Sequence, residues 1–242
     1  RINSRPNFKM IAENLAHLRE KIEETCKRSG RKPDEVKLIA VSKYFGVDSI
    51  IEAKNYGLTD FGENRAQELT LKYEKLGNSV TWHLIGTLQK NKVKYAVNAA
   101  ELIHSVDSLE LVEEINKRAE KISKVQKILL EVKTSEEETK SGLETENEIL
   151  SLVKRCSELK NIELKGLMTM APLTEDANII RKSFRDLRNL KDQINNKGYN
   201  LTELSMGMTS DFEIAIEEGA TMIRIGSAIF GDRDYSKDWR QV

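Results

Sequence analysis

Apolar positions along this chain follow two alternating patterns. From Phe8 to Ser29, Ile11, Leu15, Leu18 and Ile22 fall three and four residues apart, the stripe of one helix, which Gly30 and Pro33 end. The next stretch, Lys37-Leu38-Ile39-Ala40-Val41-Ser42-Lys43, is a short apolar run flanked by charge. It is too short for a helix and suits a strand covered on both faces. From there the two patterns take turns. Strands are expected at Leu38–Ser42, Leu58–Phe61, Val80–Ile85, Leu102–Ser105, Gln126–Val132, Ile162–Met168, Leu201–Ser205 and Met222–Ile225. Amphipathic helices are expected between them, at Val47–Tyr56, Arg65–Lys75, Asn91–Val97, from Asp107 or Ser108 to Ile122, Glu144–Leu159, Asp176–Asn195 and Ser210–Glu218. Gly57, Gly77, Gly198 and Gly219 follow helix ends, and Ser210 or Asp211 is a candidate cap.

Strict alternation of strand and helix means a parallel sheet. Eight such units within 242 residues predict a single (β/α)8 TIM barrel over residues 37–231, preceded by an N-terminal helix over 8–29, one domain spanning 1–242. A doubly wound open sheet is the alternative. Three prolines and the lack of a Gly/Ser-rich tract leave no candidate linker. The acidic run Glu136-Glu137-Glu138 reads as part of a solvated loop, Thr134–Gly142.

Charge narrows the function classes. Lys+Arg and Asp+Glu both number 39, so no global basic field invites nucleic acid or an anionic membrane. No apolar run approaches the roughly 18 residues of a membrane span, and Arg1 to Pro6 lack a signal-peptide core. Cys26 and Cys156, isolated within helical patterns, read as buried reduced thiols and a cytoplasmic setting.

In a barrel the loops after the strands build the working face, and phosphate is often held after strands seven and eight. Here those loops are Ser205-Met206-Gly207-Met208-Thr209-Ser210-Asp211 and Arg224-Ile225-Gly226-Ser227-Ala228. Glycine admits close approach of an anion, and Ser205, Thr209 and Ser227 offer hydroxyl donors. Lys43 stands just past the first strand, and Arg224 lies on strand eight, its neighbour once the barrel closes. A nearby cation and a dry site free a lysine amine to attack a carbonyl. A lysine imine beside a phosphate seat is the chemistry of pyridoxal 5′-phosphate bound to protein.

Several stretches together carry a resemblance. They are Ala40-Val41-Ser42-Lys43, Asp60-Phe61-Gly62-Glu63-Asn64, Trp82-His83-Leu84-Ile85-Gly86 and Ile103-His104-Ser105-Val106-Asp107, then Lys140-Ser141-Gly142, Gly166-Leu167-Met168-Thr169-Met170, Leu204-Ser205-Met206-Gly207-Met208, and Arg224-Ile225-Gly226-Ser227-Ala228-Ile229-Phe230-Gly231. In this order the chain resembles the pyridoxal-phosphate homeostasis proteins, single-barrel relatives of the alanine racemase N-terminal domain. The resemblance implies Lys43 as the Schiff-base lysine, Asn64 beside the cofactor ring, and phosphate on Ser205, Gly226 and Ser227, with Met206, Gly207, Met208 and Thr209 alongside. It implies Arg224 near the pyridine nitrogen. Thr209 stands where many relatives have serine, and the hydroxyl is kept.

Other residues are candidates of lower rank. His83 and His104 end strands three and four and face the mouth or serve as structural histidines. Trp82 points to the opposite side of its strand, toward barrel–helix packing. Lys140 either reaches the mouth or is a solvated loop lysine, and Tyr44 reads as packing. An arginine at the ring nitrogen leaves that nitrogen neutral and the electron sink weak. A racemase also requires a base on each face of the α-carbon. The expectation is therefore a monomeric, non-enzymatic carrier that delivers the cofactor to apo-enzymes in vitamin B6 homeostasis. A weak amino-acid racemase and a cofactor-free, aldolase-like lysine barrel are the alternatives.

Overall fold

The computed structural model describes residues 8–134, 142–232 and 240. Eight parallel strands close into a barrel in chain order: β1 (Lys37–Val41), β2 (Asp60–Glu63), β3 (Thr81–Leu84), β4 (Leu102–Val106), β5 (Gln126–Glu131), β6 (Ile162–Met168), β7 (Glu203–Ser205) and β8 (Met222–Ile225). Closure is made by β1 and β8, with Ile39 opposite Arg224 and Ala40 opposite Ile225. The TIM barrel and its leading helix are as the periodicity predicts.

The helices are α1 (Phe8–Arg28), α2 (Val47–Asn55), α3 (Ala66–Leu76), α4 (Val93–Ala99), α5 (Leu109–Lys121), α6 (Glu146–Glu158), α7 (Ala177–Asn196), α8 (Phe212–Glu217) and α9 (Ser227–Phe230). Local chemistry sets several boundaries. Thr145 caps α6 by accepting from the Glu148 amide, and Asp176 caps α7 by accepting from the Asn178 amide at 2.8 Å. At the expected cap of α8, Asp211 instead turns back, its Oδ1 accepting from the Met208 amide at 2.6 Å. That bond folds the loop after β7 onto itself. The stripe Ile11, Leu15, Leu18 and Ile22 on α1 is buried. Each such side chain contributes roughly 1.5–3 kcal/mol. Asn14 Nδ2 donates to the Ile229 carbonyl at 3.0 Å, and Arg28 pairs with Glu213 and Glu217, so α1 is tied to α8 and α9 over the last barrel unit.

Strand parity divides the core in two. Outward side chains, among them Phe61, Trp82, Ile103, Leu130 and Ile223, pack against the helices. Trp82 donates its indole N–H to the Gly77 carbonyl at 3.0 Å, which supports the packing role expected for it. Inward side chains form a separate apolar plug of Ile39, Leu102, Leu129, Met168 and Met222. Beside the plug lie polar groups: Asp60, His83, His104, Ser205 and Arg224 are all buried.

One strand departs from expectation. β2 begins at Asp60 and runs through Gly62 and Glu63, past the expected end at Phe61. The glycine and the carboxylate read as loop, yet Glu63 is completely buried. Its charge is matched within the fold, a pairing described below. Of the loop Thr134–Gly142, residues 135–141 lie outside the described residues, and Lys140 and Ser141 with them. Gly142 has φ 127°, and beyond it Leu143 donates to the Glu131 carbonyl at 2.9 Å, bringing the chain back beside β5.

Candidate functional site

A cavity of about 530 Å³ opens at the carboxyl ends of the strands. Val41, Lys43, Asn64, Ile85, Gly86 and Thr87 line it from the first three units; Glu131 and Met170 close one side; Met208, Thr209, Ser210, Arg224, Gly226 and Ser227 complete it. Such a volume suits one small cofactor. Seven of the expected residues therefore meet in one place: Lys43, Asn64, Met208, Thr209, Arg224, Gly226 and Ser227.

Lys43 stands on a tight turn, two residues beyond β1 and half-buried. Tyr44, the next residue, has φ 67°, a conformation that costs a non-glycine residue about 1–3 kcal/mol. A buried cluster holds this turn. Lys72 Nζ donates to the Ser42 carbonyl (2.9 Å), to Glu63 Oε1 (2.8 Å) and to Glu68 Oε1 (2.9 Å). The Tyr44 amide donates to Glu68 Oε1 at 2.8 Å, and Ser42 Oγ donates to Glu63 Oε1 at 2.6 Å. Phe45 N–H also donates to the Ser42 carbonyl, closing the turn. Glu63, Glu68 and Lys72 are each at most 1% exposed. Burial raises the Glu63 carboxyl above its ordinary range, against the pull of Lys72. The cluster was not legible in the sequence: Glu68 and Lys72, four apart on a helix, look like a solvated pair. The Tyr44 ring meets Arg65 at the rim, with Arg65 donating to its hydroxyl at 3.2 Å.

Across the cavity, Arg224 is fixed by two bonds, to Ser205 Oγ at 2.6 Å and to the Thr169 carbonyl at 2.9 Å. Burial lowers its pKa to about 10, with Asp211 and Glu131 opposing, so the guanidinium remains charged at neutral pH. Glu131, at the end of β5, was not anticipated. It is 3% exposed, and burial first, then Asp107, raise its carboxyl to about 7, with Arg224 pulling the other way.

The loops after β7 and β8 divide the expected phosphate residues. Thr209 and Ser227 are exposed at the cavity, and Ser227 Oγ lies 3.4 Å from Thr209 Oγ1, so hydroxyls from both loops converge with Ser210 beside them. Ser205, Met206 and Gly207 are not among the residues that line the cavity. Ser205 is wholly buried, its Oγ between Arg224 and His104 Nδ1 (2.8 Å). Strand alternation turns its side chain into the barrel, in register with Met168 and Met222. Met206 is core, and its amide donates to the Met222 carbonyl at 3.1 Å. Gly207, at φ 96°, makes the turn, and a Cβ there would lie 2.6 Å from that of Ala215. His83 and His104 likewise lie within the barrel below the mouth, hydrogen-bonded to each other at 3.0 Å. Both cysteines are buried and unpaired, as expected of them, and burial pushes the Cys156 thiol up to about 12.

The class of protein follows from comparison with known families. The family model "Alanine racemase, N-terminal domain" matches residues 13–234. Alanine racemase of Clostridium difficile 630 shares the fold at a TM-score of 0.74, with 14% identity over 95% of this chain and 58% of that one. Much nearer is a curated protein of Aquifex aeolicus (strain VF5), "Pyridoxal phosphate homeostasis protein", 46% identical over 92% of this chain and 98% of its own length. The Escherichia coli (strain K12) protein of the same name is 37% identical over 94% of this chain. The chain belongs to the pyridoxal phosphate homeostasis protein family, whose members are named for homeostasis rather than for a catalysed reaction. Among solved structures, PipY of Synechococcus elongatus PCC7942, with PLP bound, superposes at a TM-score of 0.81 and 37% identity, covering 91% of this chain and all of the other. No described helix is long and apolar enough to cross a membrane.

Proposed function

We propose that this protein binds pyridoxal 5′-phosphate as a Schiff base on Lys43 and serves vitamin B6 homeostasis by holding the aldehyde and passing it to apo-enzymes. The observation that carries the reading is the convergence of three unlike groups on one cavity: the Lys43 amine, the Thr209–Ser227 hydroxyl pair and the fixed Arg224 guanidinium. The 37% identity to PipY, a protein solved with PLP, supports the same ligand.

The residues suit the group. Lys43 would hold the cofactor through its amine, in a link that would be reversible. Thr209, Ser210 and Ser227 supply hydroxyl donors to a phosphate, with Gly226 beside them. Asn64 offers an amide beside the ring. Arg224 presents a cation to the ring nitrogen, which leaves that nitrogen unprotonated and the bound cofactor a weak electron sink. When bound, the cofactor supplies an electrophilic carbon, and the chain's own groups restrain it. Ser205 acts one step removed, through Arg224. In this reading the protein is a cytoplasmic monomer that meets apo-enzymes transiently, and its two buried thiols suit a reducing compartment.

The test is the visible spectrum of the purified protein with added pyridoxal phosphate, before and after borohydride, followed by peptide mapping. A pyridoxyl label on Lys43 is expected. A label on any other lysine, or none, would end the assignment.

A further inference from the structure

The polar groups inside the barrel form one continuous chain. At the amino-terminal end, Lys37 Nζ lies 3.3 Å from Asp60 Oδ1, and Thr59 donates to Asp60 Oδ2 at 2.7 Å. His83 Nε2 is 2.9 Å from Asp60 Oδ1. His83 Nδ1 is 3.0 Å from His104 Nε2. His104 Nδ1 is 2.8 Å from Ser205 Oγ, and Arg224 donates to that same oxygen at 2.6 Å. Five side chains from β2, β3, β4, β7 and β8 thus link the far end of the barrel to the cavity.

The carboxylate end of this chain fixes its direction. A guanidinium can only donate, and a carboxylate only accept. The Asp60 carboxylate must accept from His83, which leaves His83 Nδ1 to accept from His104 and His104 Nδ1 to accept the Ser205 proton, while a Ser205 lone pair accepts from Arg224. His104 then carries its proton on Nε2 and gives it to His83 Nδ1. His83 carries its proton on Nε2 and gives it to Asp60. Each interior group donates once and accepts once, and no group in the chain is left unmatched. The opposite order is closed at Asp60, which as a carboxylate has no proton to give. Local electrostatics agree: burial lowers both histidines and keeps them neutral, while Asp60 is lowered to about 2, burial opposing and the His83 and Thr59 hydrogen bonds prevailing.

We propose that Asp60, His83, His104 and Ser205 are positioning residues, a one-way hydrogen-bonded relay that aims the Arg224 guanidinium at the cofactor ring nitrogen. The role rests on the cofactor reading above; the relay's proton order does not. Arg224 has a second anchor, the Thr169 carbonyl, and it lines the cavity. Without the relay nothing fixes the Ser205 hydroxyl proton, which can rotate toward the guanidinium and weaken that anchor. The barrel interior could have been filled by apolar side chains, as the Ile39–Met222 plug is, and the polar chain has a consequence for function that such packing would lack.

The first experiment uses the cofactor-free protein with ¹⁵N-labelled histidine. Long-range proton–nitrogen correlation at pH 7 should find His83 and His104 both neutral and both protonated on Nε2. Either one protonated on Nδ1, or on both nitrogens, would overturn the relay. The second compares His104→Phe with His104→Gln, whose amide both accepts and donates. His104→Phe should weaken retention of pyridoxal phosphate by roughly tenfold and move the visible band of the bound form, with any borohydride label still on Lys43. His104→Gln should recover both. Equal losses of thermal stability in the two variants, with retention and band unmoved, would reduce the chain to a structural role. If His104→Phe does not fold, Ser205→Ala is read in the same way. A label away from Lys43 in the parent protein would strike the cofactor reading and leave the tautomer result standing.

Discussion

Replacing Lys72 with methionine tests the physical account of the Lys43 turn. The ammonium is 1% exposed, and its three donors are spent on Ser42, Glu63 and Glu68. The second oxygen of each carboxylate, Glu63 Oε2 and Glu68 Oε2, is buried without a hydrogen-bond partner. Methionine fills the volume but leaves two buried acids facing each other with no counter-charge. Removing one partner of a buried ion pair costs about 3–5 kcal/mol. For a chain of this size that lowers Tm by roughly 6–20 °C. The pH dependence follows from Glu63. Its pKa is raised in the folded state, so between the unfolded value and the folded one the native protein holds the extra proton, and stability falls as pH rises. Loss of Lys72 raises the folded value further and stretches that window upward. Lys72→Met should therefore be more destabilising at pH 8 than at pH 6. Urea unfolding at the two pH values measures this, and hydrogen exchange at the Tyr44 amide should lose protection. A variant within about 1 kcal/mol of the parent at both pH values would refute the argument, as would a larger loss at pH 6.

Three further outcomes are expected. Glu131→Gln removes an acid raised from an ordinary value near 4.3 to about 7; the penalty for ionising it is absent at pH 4 and complete above pH 7, so the variant should gain up to about 3 kcal/mol at pH 8 and nothing at pH 4 in chemical denaturation. Gly207→Ala meets both the φ of 96° and the Ala215 and Phe212 contacts at 2.6 and 3.1 Å, and should cost about 1–3 kcal/mol and loosen cofactor retention in a spectroscopic titration; unchanged retention would detach this loop from the phosphate. Cys26 and Cys156, both buried with thiols raised by burial, should resist an aromatic disulfide reagent in the native protein and react fully in urea; a fast-reacting thiol in the native state would contradict their burial.

Much of the architecture is legible in the sequence because strand burial and helix periodicity are local signals. The expected bounds of β6 and β8, Ile162–Met168 and Met222–Ile225, match the observed strands, and the glycines after helix ends stand where they were read. The position of Lys43 past β1 is local in the same sense: an apolar run fixes where the strand stops, and the next residues must lie at the barrel mouth.

What the linear pattern leaves open is which distant polar groups meet. Ser205 reads as a phosphate donor because it sits in a glycine-bearing loop, but the parity of β7 turns its hydroxyl inward to Arg224 and His104. Glu63, Glu68 and Lys72 become a buried ionic cluster only when α3 packs against the turn that carries Lys43. His83 and His104, 21 residues apart, become hydrogen-bonded neighbours only when β3 and β4 lie side by side. Apolar burial depends on each residue's own hydrophobicity and so leaves a periodic trace along the chain. A buried charge or hydroxyl is tolerable only beside a partner, and where that partner lies is settled by closure of the barrel.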